Sequence, residues 1–122
     1  MRFMVVVKAS KDSEAGALPD EQLLAEMGKY NEELAKAGIL LAAEGLQPSS
    51  KGARVKFSGS KRTVVDGPFT EAKEVVGGYA VIEWESREKA IAGAVAFMRL
   101  HSEHWPSWEG ECEVRPITFL AP

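Results

Sequence analysis

An α+β fold, with an antiparallel sheet and both helices on one of its faces, is predicted by three features of the sequence. Two amphipathic helical stretches, 19–38 and 87–101, are each followed by a short apolar strand. The stretch Phe3 to Val7 is filled with β-branched residues and apolar on both faces, which marks a central strand rather than an edge. Turn residues divide the remainder into strands of four to eight residues, the length range expected of a small sheet.

In order, Phe3 to Val7 forms the first strand, bracketed by Arg2 and Lys8. Residues 9 to 17 read as a polar loop. Pro19 opens a helix where its missing N–H does no harm, with Asp20 and Glu21 at the positive end of the helix dipole. Leu23, Met27, Tyr30, Leu34 and Ala37 share one helical face, and Gly38 ends the helix as a left-handed cap. Ile39 to Ala43 forms a short strand that Glu44 and Gly45 break. Ala53 to Phe57 and Arg62 to Val65 form a hairpin across Ser58–Lys61. Thr70 can cap a helical turn reaching Glu74, and Tyr79 to Trp84 forms the next strand. Ser86 caps the second helix, which carries a core stripe of Ile91, Val95 and Met98, with Ala90, Ala94, Phe97 and His101 beside it. Cys112 to Phe119 is the last strand. The resulting order is a ferredoxin-like βαββαβ with a β-hairpin inserted between its second and third principal strands.

The 122 residues, 45% hydrophobic and 27% charged, suit one domain spanning 1–122 with a core of its own. A net charge of −3, with no Lys/Arg run longer than two, argues against nucleic acid held through its phosphates. Cys112 is the sole cysteine, so no internal disulfide and no CxxC metal or redox site can form, and a cytoplasmic location is expected. No apolar run is long enough for a membrane span, and none at the amino terminus for a signal peptide. The first strand, apolar on both faces, would expose a large patch if one face stayed open, so a homodimer closed sheet on sheet is expected.

The stretch 63–79 holds the densest turn chemistry and the most ionisable groups. Asp66-Gly67-Pro68 needs a tight reversal: Asp can bond its own downstream backbone, Gly accepts positive φ, and Pro fixes φ. Asp66-Gly67-Pro68-Phe69, then Thr70-Glu71-Ala72-Lys73-Glu74 and Val76-Gly77-Gly78-Tyr79, together with Glu44-Gly45-Leu46-Gln47-Pro48, resemble the DGPF branch of the YCII-related family along nearly the whole chain. The resemblance implies a dimeric α+β barrel, with small pockets where the sheets meet. Members of that family mostly have no established activity. A His–Asp pair proposed for the wider family does not carry over, because the first helix here contains no histidine.

Among candidate residues, Glu44 ends a strand, a place that can half bury a carboxylate and raise its pKa toward general-base use. Asp66 either serves its own turn or acts as a second acid. Both are the catalytic candidates. Phe69, Lys73, Gly77, Gly78, Tyr79 and His104 are the ligand-binding candidates; the two glycines either admit a ligand to the backbone or make a bulge. His101 and His104, at the end of the second helix, are incomplete as metal ligands, and His101 reads as a capping residue favoured by the helix dipole. No metal site and no cofactor is expected, since the phosphate-loop, nucleophile-elbow and HExxH patterns are all missing. Two functional readings follow. One is a homodimer that binds a small polar or aromatic molecule, with cofactor-free acid/base catalysis as an extension. The other is a non-catalytic regulatory or interaction module, associated through relatives with transcription initiation and making no direct DNA contact.

Overall fold

The computed structural model describes residues 1–69 and 75–118. Six strands and three helices occur among them: β1 (Arg2–Lys8), α1 (Lys11–Glu14), α2 (Glu21–Lys36), β2 (Leu40–Gly45), β3 (Ala53–Ser58), β4 (Lys61–Asp66), β5 (Val76–Glu83), α3 (Arg87–His104) and β6 (Cys112–Pro116). A 3-10 turn, Ser49–Lys51, lies between β2 and β3. The main sheet has the order β2-β5-β1-β6, with every neighbouring pair antiparallel, which is the ferredoxin-like arrangement. Strands β3 and β4 form a separate two-stranded sheet inserted between β2 and β5.

Register sorts the sheet's side chains onto two faces, because successive residues of a strand alternate. Phe3 pairs with Ile82, Val5 with Ala80 and Val114, and Val7 with Cys112. Phe3, Val5 and Ile82 are buried with Ala90 and Ala94 of α3, so this is the face the helices cover. Met4 opposite Val81, and Val6 and Glu44 opposite Tyr79, occupy the other face. β1 is central, as its two apolar faces require.

The polar stretch after β1 is partly helical, contrary to the loop expected there. Ser10 and Ser13 bond each other's backbone N–H in a reciprocal capping box, which holds one turn of helix. In α2 the cap is Asp20, whose carboxylate accepts from the Leu23 N–H at 2.8 Å, so Pro19 stands outside the helix. Gly38 has φ +75 and ends the helix as expected. The hairpin turn is shorter than expected: Ser58 pairs directly with Lys61, and Gly59 takes φ +62.

Helix α3 runs to His104, and its inward face differs from the expected stripe. Ala90, Gly93, Ala94 and His101 are buried, whereas Val95 is exposed. Small residues face inward because α3 packs closely: a Cβ on Gly93 would clash with the Trp84 ring. The Thr70–Glu74 cap and turn, and the end of the last strand at Phe119, fall outside the described residues.

Candidate functional site

Between the helix-covered face of the sheet and helices α2 and α3 lies a cavity of about 700 Å³, within the range of small-molecule sites. Val5, Val7, Ala80 and Ile82 of the sheet meet Met27, Tyr30 and Leu34 of α2 there. At one end the lining is aromatic: Tyr30, Phe97, Trp84, Trp105, Trp108 and the imidazole of His101. Ring centroids are 6.2 Å apart for Tyr30–Phe97, 5.0 Å for Phe97–His101 and 4.8 Å for His101–Trp108, the spacing of favourable aromatic contacts.

His101 is 8% exposed. Its Nδ1 lies 3.1 Å from the Phe97 carbonyl oxygen, which can only accept, so Nδ1 carries the proton in this bond. Burial pushes the His101 pKa below the ordinary histidine value, and the hydrogen bond to Phe97 only partly opposes it. Desolvation thus outweighs that bond and favours the neutral imidazole, in place of the cationic cap read from the sequence. The signal was present in the sequence: Ala90, Ala94, Phe97 and His101 recur at intervals of four, three and four. Tyr30 donates its hydroxyl proton to the Gly93 carbonyl at 2.8 Å, and burial raises its pKa.

Of the candidates named from sequence, Glu44, Gly77, Gly78 and Tyr79 lie together along the β2–β5 end of this cavity. Glu44 is exposed rather than half buried, because β2 is an edge strand and Glu44 stands opposite Tyr79 on the face that no helix covers. Register therefore directs the Glu44 and Tyr79 side chains away from the helix side. The two glycines answer to the chain's own backbone. A Cβ on Gly78 would come 3.0 Å from the Glu44 carbonyl oxygen, and one on Gly77 3.2 Å from the Ala9 Cα, beside the irregularity where β1 and β5 shift register at Val7/Lys8.

Asp66 and Phe69 belong to a different place. Asp66 is exposed and pairs with Ala53 at the base of the hairpin, and neither residue lines the cavity. The Phe69 N–H donates to the Ser49 hydroxyl oxygen at 3.0 Å, and the Arg54 guanidinium sits 4.1 Å from the Phe69 ring centroid. Ser49, itself buried, donates its hydroxyl proton to the Glu14 carboxylate, which also accepts the Ser49 N–H at 2.8 Å. Glu14 thus ties α1 to the turn that holds Phe69, a link the sequence reading missed. Gly67 does not use positive φ; its small size is needed because a Cβ there would run into the Ser49 carbonyl. His104 bonds the Leu100 carbonyl at 3.0 Å and is not among the residues lining the cavity. Lys73 falls outside the described residues. Burial, with Glu111 adding to it, raises the Cys112 thiol pKa, which makes it a poor nucleophile.

Among the described residues, no group of three or more His, Cys, Asp or Glu side chains could hold a metal ion, and no helix is long and apolar enough to cross a membrane.

The sequence matches the model of the YCII-related domain over residues 1–117. An uncharacterized protein of Rhizobium meliloti (strain 1021) is 31% identical over 103 residues, which make up 84% of this chain and 79% of that protein. A match of that extent, on a ferredoxin-like sheet in the strand order described, places the chain in the YCII-related family.

Proposed function

We propose that this protein binds a small aromatic molecule in the cavity between the sheet and helices α2 and α3, and does so as a homodimer. The observation that carries the binding reading is the convergence of Tyr30, Phe97, His101 and Trp108 at one end of an apolar cavity. Buried polar atoms that keep hydrogen-bonding capacity beside apolar walls are what orients a ligand in such a site. A proton-transfer activity would have to draw on Glu44 from the uncovered face of the sheet, where register directs its side chain; Asp66, remote from the lining, pairs at the base of the hairpin instead.

Two apolar surfaces, one half-buried and one exposed, support the dimer. Met4, Val6, Tyr79 and Val81 share the sheet face opposite the helices. Every residue of β3 and β4 is exposed, with Val55, Phe57 and Val64 at 58%, 71% and 57%. Val55 pairs with Val64, so these side chains share one hairpin face, while Arg54, Lys56 and Lys61 lie on the other. A two-stranded hairpin is marginally stable alone, and an apolar face of this kind requires cover. The same amphipathic hairpin favours the second reading, a regulatory or interaction module, in which it would meet another protein.

The test is a titration of the protein with small aromatic compounds, followed through the indole signals of Trp84, Trp105 and Trp108. Saturable shifts in those signals are the expected result. Binding that shifts only hairpin resonances would overturn the cavity reading and favour the interaction module.

A further inference from the structure

The walls of the cavity narrow the chemistry of its occupant, an argument that rests on the binding reading above. The Tyr30 hydroxyl proton is spent on the Gly93 carbonyl, so toward a ligand its oxygen can only accept. His101 spends its Nδ1 proton on the Phe97 carbonyl, and a neutral ring then offers a lone pair at Nε2. Phe97 and all three tryptophans of the chain also line the cavity, and an aromatic ring carries a quadrupole that is negative over its face. The described lining includes no Lys or Arg. Acceptors and aromatic rings both attract electropositive hydrogen or positive charge. A carboxylate or phosphate entering here would give up its hydration and gain no charge partner from these groups.

We propose that the cavity selects neutral or cationic aromatic molecules bearing N–H or O–H donors, phenols and arylalkyl amines, over aromatic carboxylates and phosphates. His101 acts as the acceptor for the donor group. The ring faces, and for a cation the cation–π attraction, hold the remainder.

The experiment uses four probes built on one phenyl ring: phenol, anisole, phenethylamine and 3-phenylpropionate. Each is titrated into the full chain by calorimetry and by NMR of the tryptophan indole N–H signals. Phenol and phenethylamine are expected to bind, anisole about tenfold more weakly than phenol for want of a donor, and 3-phenylpropionate most weakly. His101→Phe keeps a ring and removes the acceptor, so it should erase the preference for phenol over anisole while anisole still binds. If 3-phenylpropionate matches phenethylamine, or anisole matches phenol in the unaltered protein, the proposed selection is overturned while the cavity still stands as a binding site. If none of the four shifts the indole signals, the binding reading itself is overturned. These comparisons within the unaltered protein decide the matter even if the His101 variant fails to fold.

Discussion

Gly67 approaches the carbonyl of Ser49 so closely that no side chain fits between them. Seventeen positions separate the Asp66 turn from the 3-10 turn at Ser49, yet the two are packed backbone to backbone, with the Gly67 N–H donating to the Gly52 carbonyl at 3.0 Å. Because the obstacle is main chain and not a flexible side chain, Gly67→Ala should destabilise by about 1–3 kcal/mol, the usual cost of overpacking. Thermal or urea unfolding measures it. A change within about 0.5 kcal/mol, the range of neutral surface sites, would show that the two turns separate freely.

Ser49→Ala is expected to cost about 1–3 kcal/mol, since it leaves the Phe69 N–H without its acceptor and the Glu14 carboxylate without the hydroxyl donor. Glu14→Ala should be non-additive with it. A double-mutant cycle by denaturant unfolding that returns no coupling would show that the Glu14–Ser49 contact contributes nothing in solution.

His101 makes stability depend on pH. Its folded pKa lies below the unfolded value of about 6.5, so the unfolded chain takes up the proton first. The contribution is therefore fully present above that value and is lost as pH falls from there through the lowered folded pKa. His101→Phe should flatten this part of the profile. An unaltered slope in the variant would assign the titration to another group.

The open sheet face should be buried between copies, so sedimentation of the unaltered chain is expected to give a mass near twice 13.3 kDa. Val6→Asp, which places a charge at the centre of that face opposite Tyr79, should yield monomers. A dimer that survives this change would have to be joined elsewhere, with the Val55–Val64 face of the hairpin the next surface to alter.

Much of the fold was legible because it is written in short-range pattern. The β-branched run at Phe3–Val7 gave a central strand, and Gly38 gave a helix end, since each requirement is met by neighbours in sequence. The site was less legible. Ile91, Val95 and Met98 looked like the core stripe of α3 because size suggests burial, but the close approach of Trp84 to Gly93 turns the small residues inward instead. Glu44 looked half buried because it follows an apolar run. Which edge β2 occupies, and that Glu44 stands opposite Tyr79, is decided by strand pairing, which no local pattern records. The Glu14–Ser49 link spans 35 residues and involves residue types common in any polar loop.

The Gly52–Gly67 hydrogen bond and the Ser49 contacts fasten the hairpin at its root, where the outgoing and returning chains lie side by side. Everything from Ala53 to Asp66 hangs beyond that neck and, among the described residues, pairs as a strand only with itself. The neck thus separates two kinds of change: the arm can be lengthened, trimmed or re-lettered without altering the register of β2 against β5, whereas a change at the neck reaches the sheet and the arm at once.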